Sequence, residues 1–226
     1  MSNFDSDGGP EDEFDERGEL AWNEFDWERY LREQDEAIHR YLRFYEAADG
    51  NSDRIDEVAE KMGWGQEDWS EEAGDDDDDE SEKDGEFRAQ EEVYTLHKNP
   101  IFIATKGIYL GLSRSWQALA IDPVKVPPAL AVNLLAALHR GEEQSVQAIH
   151  ALDFGDYAMA ISLFKRALSS INNTLALLNS EPLNRHPATA EWREKAQRQL
   201  FDLREIWLRV IAECRDELER PLDDEN

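Results

Sequence analysis

Residues 99–121, NPIFIATKGIYLGLSRSWQALAI, decide the fold class. The side chain of an asparagine such as Asn99 accepts from the first free N–H groups of a helix, and proline at position 100 sits where a missing N–H costs nothing. Beyond them Ile101, Phe102, Ile103, Ile108, Tyr109, Leu112, Trp116 and Leu119 occupy more than one face of a 3.6-residue repeat. This segment is therefore predicted to be the most buried helix of a helical core. It contains no Asp or Glu. Gly107 and Gly111, four residues apart, predict the close approach of a neighbouring helix. The apolar run at 101–112 is interrupted by Lys106 and Gly107 and is too short to span a bilayer.

Downstream the same periodicity recurs three times. Pro123, Pro127 and Pro128 bracket a rigid connection, after which residues 129–152 carry Leu130, Leu134, Leu135, Leu138, Val146, Ile149 and Leu152, with Gly141 as a candidate kink. A turn at Asp153, Phe154 and Gly155 leads to residues 156–180, where Tyr157, Ile161, Phe164, Leu168, Ile171, Leu175 and Leu178 follow at three- and four-residue steps. Pro182 and Pro187 mark the next loop. Residues 188–219 then show the clearest stripe: Trp192, Ala196, Leu200, Leu203, Trp207, Val210, Cys214 and Leu218. No stretch alternates as a half-buried strand does. The expected fold is all-α: an antiparallel four-helix bundle over residues 91–220, each helix about 35–48 Å long at ~1.5 Å per residue, preceded by an acidic helical N-terminal region.

Upstream, residues 1–19 are acidic, poor in branched apolar residues and predicted not to fold alone. Residues 20–70 form the helical region. Trp27, Leu31, Ile38, Leu42 and Tyr45 place one apolar stripe on a first helix at 20–48, and Glu28 with Arg32 and Glu36 with Arg40 give i,i+4 pairs. Asn51 and Ser52 are positioned to cap a short helix bearing Ile55, Val58 and Met62, which Gly63 closes in the left-handed conformation. Trp64 and Trp69 are expected to fold back onto it. Residues 71–90 hold five consecutive aspartates at 75–79 and read as an extended, disordered linker and domain boundary; residues 221–226 are a short acidic tail.

One segment resembles a known family. Residues 155–168, with Gly155, Tyr157, Ala160, Phe164 and Ala167 at matching places, resemble the second helix of a tetratricopeptide repeat. Ala148 suits the small position of the first helix, whereas Gln144, Gln147 and Ala151 stand where that family has large apolar side chains, and its closing proline is absent. The resemblance covers residues 141–172 and occurs once. It implies a tightly packed helical hairpin.

Charge bears on function. The chain has 226 residues with 52 acids and 24 Lys or Arg, a net charge of −28. Residues 1–90 hold 33 acids against 9 bases and residues 91–226 hold 19 against 15. Such an acidic half argues against direct nucleic-acid binding, which needs clustered cations, and points to a basic partner. A faint helix-turn-helix pattern at 55–69 fails for the same reason, because its reading helix would carry Glu67, Asp68, Glu71 and Glu72.

Catalytic patterns are few. Glu36-x-x-His39 is the sole Glu-x-x-His, and a di-metal bundle needs two such motifs plus inward carboxylates that the 100–121 helix lacks. His139 and His150 share a helix face but lie about 16 Å apart along it, too far for one metal. An acidic match to a calcium loop spans residues 80–91, with Glu where the first ligand should be Asp. His97 precedes the helix cap and His186 lies between prolines, neither with a visible partner. There is no nucleophile elbow, phosphate loop or Cys-x-x-Cys, and the single cysteine, Cys214, reads as a buried thiol in a reducing compartment. No catalytic, cofactor or metal residue is therefore assigned.

The function expected from these features is a non-enzymatic, cytoplasmic interaction or adaptor module without membrane association, whose acidic, aromatic-rich arm docks a basic protein surface or its own basic last helix. Trp22, Phe25, Trp27, Trp64 and Trp69 are the candidate anchors, and Arg198, Arg204 and Arg209 the candidate basic contacts. An acidic decoy covering a nucleic-acid-binding protein, or an enzyme or ligand-binding bundle with a pocket between helices, are the alternatives.

Overall fold

The structure, a computed structural model, describes residues 23–64 and 99–220. Among these every regular element is helical: α1 (Glu24–Ala47), α2 (Arg54–Lys61), α3 (Pro100–Ala120), α4 (Pro128–Asp153), α5 (Tyr157–Leu178) and α6 (Pro187–Glu219), with one 3₁₀ turn at Glu181–Asn184 between α5 and α6. The acidic tails, the 71–90 linker and the calcium-loop match lie outside the described residues.

Local chemistry explains the boundaries. Asn23 Oδ1 accepts from the N–H groups of Phe25 and Asp26, and Asp26 returns a bond to the Asn23 N–H, so α1 opens with a capping box. Asn99 Oδ1 accepts from Ile101 and Phe102 at 3.0 and 3.1 Å, as the sequence predicts. Asp156 caps α5 through the Met159 N–H at 2.9 Å. His186, which has no visible partner in the sequence, is the cap of α6: its Nδ1 accepts from the Ala188 N–H at 3.1 Å. The short helix differs from expectation. Asn51 Oδ1 bonds the Asp53 N–H at 3.1 Å, forming a turn instead of a cap, and α2 begins behind Asp53. Its closing glycine, Gly63, does take the left-handed conformation, at φ +81°.

The helices bury their stripes against one another. Along the chain α3 packs on α4, α4 on α5 and α5 on α6, while α6 also touches α3. Over half of α3 is buried, a larger share than in any other helix. Trp116 and Trp207 are fully buried, and their indole N–H groups donate to the Ala131 carbonyl at 3.0 Å and to Thr105 Oγ1 at 3.1 Å. These bonds remove the cost of burying the one polar atom of each ring. Of the residues that carry the hairpin resemblance, Ala148, Ala160, Phe164 and Ala167 are fully buried, Tyr157 is partly buried and Gly155 is exposed.

The N-terminal helices join this core. Ile38, Tyr41, Tyr45 and Val58 belong to the same apolar cluster as Ile108, Leu112, Trp207 and Val210. The paired glycines are the reason α1 lies so close: a Cβ at Gly107 would stand 2.7 Å from Tyr41 Cδ1, and one at Gly111 would stand 2.9 Å from Leu42 Cδ1. Gly141 likewise makes room for a neighbour. Its absent Cβ would meet the Tyr109 hydroxyl at 2.5 Å, and α4 runs unbroken through it from Pro128 to Asp153.

Gly107→Ala is expected to destabilise the protein by about 1–2 kcal/mol, because overpacking against a buried ring outweighs the gain of up to ~1 kcal/mol in helix propensity. Denaturant unfolding measures it; a stability equal to or above wild type would show that α1 does not press on this face.

Candidate interaction surfaces

The loop after α1 carries acidic and basic groups onto the flank of α6. Arg54, at the start of α2, is 4% exposed. Its Nε donates to Asp202 Oδ2, its Nη1 lies 3.3 Å from Asp49 Oδ1, and its guanidinium carbon sits 4.8 Å from the centre of the Tyr45 ring. Tyr45 donates its hydroxyl to the same Asp202 oxygen. Burial, followed by the Asp202 charge, pushes the Tyr45 hydroxyl well above its ordinary range, so it remains a neutral donor. Asp49 also draws Lys195 to 3.6 Å and Arg198 to 3.7 Å. Two turns along α6 from Asp202, Arg209 holds Asp56 with both Nη atoms, at 2.5 and 3.2 Å, and reaches Glu205 at 3.1 Å. A segment with a net charge of −6 over residues 23–64 is thus seated by cations of α6, while residues 99–220 are neutral overall, with 14 acids and 14 bases.

The Arg209 hydrogen bonds hold the Asp56 carboxyl below its usual range. A depressed carboxylate contributes stability above its unfolded value of about 4 and loses it as pH falls through its folded value. The pair is solvent-exposed, so Arg209→Gln is expected to cost roughly 0.5 kcal/mol at pH 7 and less at a pH below about 4, the ordinary carboxylate value, as the Asp56 carboxyl takes up its proton. Unfolding at the two pH values checks this; a difference that grew in acid would contradict it.

Of the residues nominated from sequence, Trp22 and Trp69 lie outside the described residues. Phe25 and Trp27 stand on the first half of α1, 73% and 52% exposed. Trp64 is half-buried and stacks on Tyr41, ring centres 5.7 Å apart. Arg198 and Arg209 bind Asp49 and Asp56 of the same chain, and Arg204 is exposed. The α1 stripe expected along one helix is therefore divided: Ile38, Leu42 and Tyr45 are buried, whereas Leu31, in the same register, is 49% exposed. Glu24, Asp26, Glu28, Glu33, Asp35 and Glu36 line that exposed half.

Two open clefts flank α1 and α3. One, of about 530 Å³, lies beside Asp49, Ser115, Leu119, Trp192, Lys195 and Arg198. The other, of about 500 Å³, is lined by Glu36, His39, Arg40, Leu42, Arg43, Glu46 and Arg114. In the second, His39 Nε2 lies 2.9 Å from Arg114 Nη2, and His39 Nδ1 lies 2.6 Å from the Asp35 carbonyl. A guanidinium only donates, so Nε2 accepts and Nδ1 carries the proton. Sequence reasoning treats Arg40 as the partner of Glu36; the Glu28–Arg32 pair forms at 2.8 Å, but no Glu36–Arg40 pair does. Tyr45 reads in the sequence only as a member of the α1 stripe, and Arg54 and Asp202 have no signal beyond their residue types.

Among the described residues no group of three or more His, Cys, Asp or Glu is placed to hold a metal, and no helix is long and apolar enough to cross a membrane. Cys214 is buried, and burial raises its thiol above the ordinary value. Comparison of the chain with protein-family models, with curated proteins and with solved structures returns no match.

Proposed function

We propose that this all-α chain is a non-enzymatic interaction or adaptor module of the cytoplasm, in which an antiparallel bundle of α3–α6 serves as the scaffold and the acidic, aromatic first half of α1 docks a basic groove on a protein partner. The observation that carries this reading is the divided stripe of α1: its second half is buried in the core, and the same face continues outward through Leu31 and Trp27, both exposed, with Phe25 exposed on another face of that half. A helix that presents apolar anchors within a ring of acids suits recognition by a basic groove. Trp207 pairing with Thr105 and Trp192 with Ser115 is the order expected of helices running in opposite directions, which supports the antiparallel bundle. The α4–α5 hairpin, with its small residues at the contact, supports the tetratricopeptide-like resemblance of that segment.

The arm's second half supports an internal role. Arg198 and Arg209 are engaged by Asp49 and Asp56, so these basic contacts seat the arm. A pull-down identified by mass spectrometry across a salt series, with wild type and Phe25→Ser/Leu31→Ser in parallel, tests the docking face. The reading expects one set of partners, weakened by salt and lost in the variant. A set retained by the variant would count against it.

A further inference from the structure

The cleft between α1 and α3 has an electrostatic peculiarity. Arg40, Arg43 and Arg114 all line it, with Leu42 among its walls, yet none of the three forms an ion pair among the described residues. Glu36 and Glu46 line the same cleft, and the chain carries more than twice as many acids as bases. At the seam between α2 and α6 the opposite holds, since Arg54, Arg198 and Arg209 each meet a carboxylate. The sole hydrogen-bond partner of the Arg114 guanidinium in the cleft is the neutral Nε2 of His39, a ring fixed from its other side by the Asp35 carbonyl. That ring holds the Arg114 fork in place without neutralising its charge.

We propose that Arg40, Arg43 and Arg114 form a receptor for a phosphomonoester dianion. Planar guanidinium forks match the oxygens of a tetrahedral anion bidentately, which a point charge such as lysine would not. Counted with an uncharged imidazole, the three arginines and two glutamates give the cleft a formal charge of only +1, so net charge does not select the ligand. Selection rests on the forks, which several oxygens of one tetrahedral anion engage together and a spherical ion such as chloride does not. The cleft, at about 500 Å³, admits a phosphate group together with the residue bearing it. The bound group is either free phosphate or the phosphate of a modified side chain, and the two share this recognition chemistry.

The full-length chain, labelled with ¹⁵N at arginine, is titrated at constant ionic strength with inorganic phosphate, with a phosphoserine pentapeptide and with the same peptide unphosphorylated. Saturable shifts of the Nε–H signals of Arg40, Arg43 and Arg114 are expected with the first two. Equal affinity for both assigns free phosphate as the source, and tighter binding of the peptide assigns a modified side chain. Arg40→Gln/Arg43→Gln, which touches no ion pair of the fold, should weaken binding by about tenfold or more, with the melting temperature unchanged. Non-saturating shifts, shifts equal in the double variant, equal response to the unphosphorylated peptide, or no shift at all would each overturn the proposal.

Discussion

A chain reduced to residues 99–226 is expected to retain helical circular dichroism but to lose its cooperative native state. Removing α1 and α2 takes away Ile38, Tyr41, Leu42, Tyr45 and Val58, each buried to 5% exposure or less. Burial of such side chains contributes about 1.5–3 kcal/mol apiece, so the gross loss is at most roughly 8–15 kcal/mol. That is of the order of a whole domain's net stability of about 5–15 kcal/mol. The truncated chain is spared the entropy of ordering two helices, which reduces the net loss. It still exposes the side of α3 that holds Gly107 and Gly111, a face with no side chains of its own to shield the core. A broadened thermal transition at least about 10 °C lower, together with binding of a hydrophobic dye, is the expected result. A sharp transition at the full-length temperature would show that α3–α6 stand alone.

Asp202→Ala should cost about 3 kcal/mol, the second largest effect. Asp202 is the acceptor for both Arg54 and Tyr45, and Arg54 is almost wholly buried. Without it the guanidinium keeps the longer contact to Asp49, and the Tyr45 hydroxyl has no acceptor in that position. Removing one partner of a buried pair is far costlier than replacing both, because the remaining charge is left desolvated. Adding Arg54→Met should therefore recover a large part of the loss. The coupling is measured by a double-mutant cycle on the denaturant midpoint. Additive effects, or a single variant within ~0.5 kcal/mol of wild type, would contradict the arrangement.

Much of the scaffold is legible in the sequence because its signals are local. Asn99 with Pro100, the left-handed glycine at 63, the turn at Gly155, and the stripes of α4, α5 and α6 each depend on residues within a turn or two. The glycine pair at 107 and 111 predicts a close neighbour, but periodicity does not say which helix supplies it. Tyr41 and Leu42 belong to a segment set apart by the aspartate run and by its charge, and a boundary drawn from composition separates chain segments that share one core. The α1 stripe has the same limit: Leu31 and Leu42 carry the same periodic signal, and only the extent of the neighbouring helix decides which is covered.

The candidate surfaces are less legible still. Arg54 reads as an ordinary first-turn residue of a short helix, and Asp202 as one of several acids on the flank of α6. Their burial arises from a contact across 148 residues. Arg40 and Arg43 look like helix-surface charges, and Arg114 is the only arginine of a helix without acids. Nothing in the spacing places the three on one cleft. His186 as a cap is equally unreadable, since its role depends on the tautomer that the Ala188 N–H selects.

The central claim is that α1 lies in the core on the glycine face of α3. A nuclear Overhauser spectrum of the full-length chain tests it in one measurement, through the contact between the Tyr41 ring and Gly107. The structure predicts a strong cross-peak from the Tyr41 ring protons to the Gly107 Hα, given the 2.7 Å that a Cβ there would leave. An assigned spectrum in which Gly107 shows no contact with any residue of α1 would contradict it.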